Sequence, residues 1–224
     1  MTNLYFVRHG FTPANNAKYN NQKNIYTIAD DKNMPLDYIY GVKQAREVGT
    51  YLNNLKGKTL ILVSPYKRAK ETMLYALENV NFDYEIKVEN DLHEINSGVH
   101  YAKTVDELFS MYDGINKVLE NLEKDPYNTR YLDGESQFDV KNRVEKIAKK
   151  IKDIKASNIY DNIIIFGHGI VNRWIIWWIT GKLYEPYQKN GDILLVDDDI
   201  KLVFSTKAYA PIGYKVDINK YKQD

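Results

Sequence analysis

Short apolar runs alternate along this chain with stretches in which apolar residues return every three or four positions. Leu4 to Arg8, Leu60 to Val63 and Asn162 to Phe166 have the profile of strands buried on both faces. They lead into Arg8-His9-Gly10, Ser64-Pro65 and Gly167-His168-Gly169. Tyr84 to Val88 is a fourth strand, and Asp192 to Val196 with Leu202 to Ser205 makes a hairpin-like pair. Helical spacing runs through Gly41 to Leu55, through Tyr66 to Val80 behind a Pro65 suited to a helix start, and through Val105 to Leu122. Ser136 to Ile154 is amphipathic, with Phe138, Val140, Val144, Ile147, Ala148 and Ile151 in register. Val171 to Ile179 predicts a buried helix. Strands alternating with helices predict an α/β layered fold with a largely parallel sheet. Thr12 to Pro35 shows no period and reads as an irregular excursion, of a length that is usually functional in a compact domain.

Composition narrows this picture. The chain has 224 residues and 44% hydrophobic content, and shows no repeat, low-complexity tract or linker, so one domain over 1–224 is expected. Its 31 basic and 30 acidic side chains nearly cancel, which gives no sign of the broad positive field that nucleic-acid binding needs. With no cysteine, disulfides, thiolate metal sites and cysteine nucleophiles are excluded. No two histidines or carboxylates have ligand spacing on one element, so no metal site is expected. The opening MTNLYFVRHG does not read as a signal peptide, and the longest apolar runs are too short to span a bilayer. The expectation is a cytoplasmic protein without a membrane or nucleic-acid partner.

The candidate chemistry lies at the strand tips. His9 and His168, two of only four histidines, each follow a buried-strand run and precede a glycine. Ligand sites of open α/β sheets gather beyond the carboxyl ends of the strands, so two distant histidines can face one crevice. The glycines are expected to let backbone approach an anion, and helices starting after Pro65 and His168 to aim their amide ends at it. Arg8 and Arg68 occupy comparable places, and arginine is the side chain best suited to clamp phosphate oxygens. Two imidazoles and two guanidinium groups together call for a doubly charged ligand, which a phosphoryl group supplies.

The block Arg8-His9-Gly10-Phe11-Thr12-Pro13-Ala14-Asn15 resembles the Arg-His-Gly signature of the histidine phosphatase superfamily, which includes cofactor-dependent phosphoglycerate mutases. The resemblance continues in family order through Pro35-Leu36, Gly41, Gln44-Ala45, Ser64-Pro65, Arg68-Ala69, Thr72, Leu92-His93-Glu94, Gly134-Glu135-Ser136, Arg143 and Gly167-His168-Gly169. It implies a three-layer α/β/α sandwich of phosphoglycerate mutase-like fold, with lid segments about 12–35 and 98–133. It further implies a phosphatase that hydrolyses a phosphate monoester through a phosphohistidine on His9. Arg8, Arg68, His168 and Asn15 would bind the phosphoryl group, and Glu94 would serve as general acid and base. The partner would be a small phosphorylated substrate, with neither metal nor cofactor. Mutases of the family carry a tryptophan-containing stretch after the first block and Arg-x-Tyr-Gly directly after the acidic residue. Here Asn15 to Gln22 has no tryptophan and Glu94 is followed by Ile95-Asn96-Ser97-Gly98, which counts against mutase activity. The alternatives are such a mutase or a catalytically silent phospho-ligand-binding relative.

Among neighbouring residues, Asp91, Glu89 and Glu107 compete with Glu94 for the acid role. His93 is expected to pack elsewhere, and His100 to lie near the mouth of the site or in solvent. Glu135 and Ser136 are expected to cap the following helix. Trp174, Trp177 and Trp178 read as core, and Lys146, Lys149, Lys150 and Lys152 as a solvated helix face.

Overall fold

Thr59–Val63 (β2) and Asn162–Gly167 (β4) are buried along their whole length, as a strand covered on both faces must be. They form one six-stranded sheet with Asn3–Arg8 (β1), Tyr84–Val88 (β3), Ile193–Val196 (β5) and Ile200–Phe204 (β6), in the order β3-β2-β4-β1-β5-β6. β1 to β4 run parallel, and β5 and β6 complete the sheet antiparallel. The structure, a computed structural model, describes residues 1–221.

Alternate strand residues enter two separate cores. Leu4, Phe6, Leu60, Leu62, Ile163 and Ile165 face Gln137–Arg143 (α6), Glu145–Ser157 (α7) and Gly169–Thr180 (α8). Tyr5, Val7, Ile61, Val63, Ile164 and Phe166 face Tyr40–Leu52 (α2) and Lys67–Leu77 (α3). This is the expected mixed α/β arrangement, with helices on both faces of a mostly parallel sheet. Trp174 is core, whereas Trp177 and Trp178 are only partly buried, with the Lys141 ammonium 3.8 Å from the Trp177 ring centroid. Lys146, Lys149, Lys150 and Lys152 of α7 are exposed, and Lys150 pairs with Glu89.

Three expectations need correction. The excursion after β1 is not wholly irregular: it contains the helix Pro13–Tyr19 (α1) and a short 3-10 turn at Ile25–Thr27. These pack with Met34, Ala102 and Val216 in a small apolar cluster of their own, tertiary support that local periodicity does not reveal. The stretch from Val105 to Leu122 is two helices, Val105–Met111 (α4) and Ile115–Lys124 (α5), separated where Gly114 takes a positive φ of 73°. Ser136 to Ile154 likewise divides at Val144, yet the bonds Val144 N to Val140 O and Ala148 N to Val144 O carry the winding across. Both halves therefore keep their apolar residues against α8.

On the opposite layer, Gly49 of α2 touches α3 so closely that a Cβ there would lie 2.3 Å from the Ala76 carbonyl oxygen. Alanine favours an isolated helix by roughly 1 kcal/mol over glycine, but overpacking a fixed contact costs about 1–3 kcal/mol. Gly49→Ala is predicted to destabilise, seen as a lower urea midpoint at unchanged slope. An equal or higher midpoint would show that the two helices separate freely.

Candidate active site

Strand register brings the two histidines together. Arg8 of β1 pairs with Gly167 of β4, so the next residues, His9 and His168, emerge side by side. Their ring centroids are 5.2 Å apart at 60°. Val63 of β2 pairs with Phe166, which sets Ser64 beside the same tip, and its Oγ lies 2.7 Å from His168 Nε2. In the first turn of α3, Arg68 reaches the same region, 5% exposed.

A cavity of about 480 Å³ opens above these tips, lined at its base by Arg8, His9, Asn15, Asp31, Arg68 and Glu94. All the predicted site residues except His168 thus face one space. His168 does not line it, lying buried behind His9 and against Tyr66. His9 Nδ1 is 2.7 Å from the Gly10 carbonyl oxygen. A carbonyl only accepts, so Nδ1 carries the hydrogen and Nε2 keeps its lone pair. Burial, then the positive charge of Arg68 and Arg8, holds the His9 pKa well below the ordinary imidazole value, against the pull of the Gly10 carbonyl. The His168 pKa is likewise lowered well below that value, by burial first and then by Arg68, His9 and Arg8.

Neutral partners hold this loop in place. Gly10 N donates to Thr72 Oγ1 at 2.9 Å, Phe11 N to Gln44 Oε1 at 2.7 Å, and Asn190 Nδ2 to the His9 carbonyl at 3.0 Å. Arg8 Nη1 donates to the Gln188 carbonyl. Thr12 donates through its N and Oγ1 to Asn15 Oδ1 at 2.9 and 3.1 Å, so the Asn15 carboxamide turns its Nδ2 donors away from that cap.

Glu94 is held from two sides. Ile95 N and Val171 N donate to its Oε1 at 3.0 and 3.3 Å, and Ile170 N to its Oε2 at 3.4 Å. Arg143 Nη2 donates to the His93 and Glu94 carbonyls at 2.9 and 3.0 Å, and Arg143 Nε to Glu135 Oε1 at 2.9 Å. Ser136 caps α6 as expected, accepting from Asp139 N at 3.2 Å. Glu135 does not; it braces the Glu94 loop through Arg143 and through Asn96 N. Glu89 pairs with Lys150, Glu107 caps α4 beneath Thr104, and Asp91 is exposed, so the rivals of Glu94 are engaged elsewhere or face solvent. His93 stacks on Tyr66. His100 lines the cavity, packs against Tyr131 and leaves both ring nitrogens buried without a well-formed hydrogen bond.

The motif glycines and the helix ends also meet groups of the protein itself. Gly10 is small because the Gly41 carbonyl oxygen is in the way, 2.6 Å from where a Cβ would sit, and Gly169 faces the Arg8 guanidinium instead of open space. Some amides at the helix ends are engaged: Ile170 N and Val171 N of α8 meet Glu94, and Lys67 N of α3 donates to the Lys32 carbonyl at 2.9 Å. Sequence reasoning missed Asp31, Asn190 and Gln188. Asp31 lies in the stretch without a period, and the other two follow α8 in a segment with no motif.

The buried imidazoles make stability depend on pH. Unfolded histidine binds a proton near 6.5, whereas folded His9 and His168 resist protonation. The unfolded chain therefore takes up more protons as pH falls below 6.5, and stability falls with it, with a slope approaching about 1.4 kcal/mol per pH unit for each histidine. Urea midpoints measured from pH 7.5 to 5.5 are predicted to fall more steeply for the wild type than for a His9→Asn/His168→Asn double variant. Equal slopes would show that these imidazoles titrate normally.

Comparison with known proteins agrees with this geometry. The structure resembles the alpha-ribazole phosphatase from Shigella flexneri (TM-score 0.70, 20% identity, 95% of this chain and 99% of that one). It also resembles TTHB049 from Thermus thermophilus (TM-score 0.58, 20% identity, 90% and 97%). A third similar structure is the mycobacterial glucosyl-3-phosphoglycerate phosphatase Rv2419c (TM-score 0.63, 17% identity, 86% and 88%). At these identities the likeness is one of fold. No curated protein sequence matches. The family model described as histidine phosphatase superfamily (branch 1) matches residues 4–191, and with its motif histidines on adjoining strand tips the chain belongs to that superfamily.

Proposed function

We propose that this protein is a phosphatase that hydrolyses a phosphate monoester through a phosphohistidine on His9. The observation that carries the reading is the His9 ring itself: neutral, oriented by the Gly10 carbonyl, and facing a cavity whose floor holds two guanidinium groups. A neutral imidazole nitrogen beside fixed positive charge is a competent nucleophile toward a phosphate dianion.

In the reaction, His9 Nε2 bonds to phosphorus as the P–O bond opposite it breaks. The ester oxygen keeps the electron pair, takes a proton from Glu94 and departs as an alcohol, and the Nδ1 hydrogen stays hydrogen-bonded to the Gly10 carbonyl. Arg8, Arg68 and the Asn15 amide donate to the phosphoryl oxygens as negative charge shifts among them. His168, buried behind His9 and outside the cavity lining, holds the His9 ring in place in this reading. Water then attacks phosphorus from the side the ester oxygen left, Glu94 takes its proton, and the N–P bond breaks to restore His9. Backbone N–H groups on both Glu94 oxygens suit a carboxyl that works as an acceptor. Guanidinium groups supply the charge that many phosphatases take from metal ions.

The neighbours described as acting on alpha-ribazole phosphate and on glucosyl-3-phosphoglycerate support a small phosphorylated metabolite as substrate. The sequence after Glu94 and the absence of tryptophan from Asn15 to Gln22 support hydrolysis over mutase chemistry.

Two outcomes are predicted. His9→Ala abolishes release of phosphate from p-nitrophenyl phosphate, and the wild type, quenched during turnover, carries acid-labile phosphate on His9; retained turnover in the variant would refute the nucleophile. Phosphate release is also insensitive to chelator, and 3-phosphoglycerate is not isomerised with or without a bisphosphate primer. Primer-dependent isomerisation would instead establish the mutase, and neither activity would leave a phospho-ligand-binding protein.

A further inference from the structure

A second cavity, of about 390 Å³, shares Arg8 alone with the first; His9, Arg68 and Glu94 do not line it. Its aromatic walls come from segments far apart in the chain: Phe11 and Tyr19 at the two ends of α1, Tyr187 ahead of β5, and Tyr209 with Ile212 after β6. All of these but Phe11 are exposed. An apolar collar around a few polar groups is the build of a small-molecule site. The charged groups lining it are both cations, Arg8 and Lys189, and no carboxylate lines it among the described residues. The Lys189 ammonium lies 5.9 Å from the Tyr209 ring centroid. Burial raises the Tyr19 pKa, but Arg8 and then Lys18 more than offset it, so the charge of Arg8 is felt on this side as well. Three buried amides also line the cavity. Gln44 and Gln188 have both amide atoms engaged within the protein. Asn190, 6% exposed, donates through Nδ2 to the His9 and Gly10 carbonyls at 3.0 and 3.4 Å, and nothing among the described residues donates to its Oδ1.

We propose that this cavity is a second ligand site, which takes a small planar aromatic acid carrying an O–H or N–H donor and, through Arg8, opposes phosphate binding next door. The ring packs among the tyrosines, the acid group meets Arg8 and Lys189, and the donor meets Asn190 Oδ1. Charge complementarity selects the class: an aromatic cation is repelled by both lining charges, and a neutral ring leaves them unmatched. An acid group on the cavity side of Arg8 draws on the same positive charge that a phosphoryl group uses, so each ligand weakens the other. Asn190 makes a second link, because the Gly10 carbonyl that its Nδ2 approaches is the one that orients the His9 ring. The binding of the aromatic acid stands on this geometry alone, and its effect on turnover rests on the phosphatase reading.

The test titrates the full chain by calorimetry with 6-hydroxy-2-naphthoate, with 2-naphthoate, which lacks the donor, and with 2-naphthol, which lacks the charge. The hydroxy acid is expected to bind, and each of the others to bind about 10-fold more weakly, the scale of one lost hydrogen bond or ion pair. Lys189→Met and Ile212→Asp are each expected to weaken the hydroxy acid about 10-fold. Neither residue lines the catalytic cavity, so both variants are expected to keep the wild-type kcat/KM on p-nitrophenyl phosphate. In turnover the hydroxy acid is expected to raise KM about 5-fold to a plateau with kcat unchanged, and inorganic phosphate to weaken its binding by a similar factor, as linkage requires. A KM that climbs without a plateau, or binding untouched by both variants, would put the acid in the catalytic cavity and overturn the second site. Equal binding of the three probes, or none by the hydroxy acid, would overturn it as well. Binding that leaves KM unmoved would overturn the coupling through Arg8. A protein that binds the hydroxy acid as expected, yet hydrolyses nothing and never carries phosphate on His9, would instead overturn the phosphatase reading and leave this site in place.

Discussion

Positive charge gathered at the tips of three parallel strands is the constraint around which the site is arranged. Arg8 follows from β1, Arg68 from the helix after β2, and both imidazoles sit within their field. Ionised imidazoles there would be buried like charges beside guanidinium groups, an arrangement whose cost has no local remedy. His9 and His168 are therefore held neutral, and in the proposed reaction that neutrality is what lets His9 act as the nucleophile. The electrostatic strain and the reactivity have one cause.

The groups that fix the geometry leave the field around His9 nearly untouched. Thr72, Gln44, Asn190 and the Gln188 carbonyl, all neutral groups, position the His9 loop and Arg8. Arg143, by contrast, is engaged by Glu135 and by backbone carbonyls of the Glu94 loop. Its charge goes into bracing one carboxyl and is not added to the phosphoryl site. Such a division keeps two guanidinium groups available for a ligand while the scaffold around them stays rigid, as electrostatic preorganisation requires.

Much of this was legible in the residues. Apolar runs marked the strands because burial on both faces removes any need for alternation, and the ordered motif residues pointed to the strand tips. The convergence of His9, Arg8, Arg68 and Glu94 depends on sheet order, which the family resemblance implied and local periodicity does not encode. Helix breaks at Gly114 and Val144 were hidden because the apolar spacing continues through both. Asp31 was invisible for a different reason: it belongs to a segment held by tertiary contacts, where Met34 and Ile25 are buried against residues near positions 102 and 216. The motif glycines were read as room for an anion, whereas at Gly10 the crowding partner is the Gly41 backbone. Sequence shows that a position is small without showing what presses on it.

Charge counting within the cavity explains why two carboxyls can coexist beside a phosphate site. Before substrate enters, Arg8 and Arg68 are matched by Asp31 and Glu94. A phosphate dianion adds negative charge where Asp31 already lies, and the site must then shed some of it or bind weakly. Glu94 is fixed to the amide end of α8 and to Ile95 N, and those donors have no other acceptor to turn to. Asp31 has a buried oxygen that no donor satisfies, so taking up a proton breaks no hydrogen bond there. A dianion on Arg68 thus increases the negative charge facing Asp31 and favours a proton there.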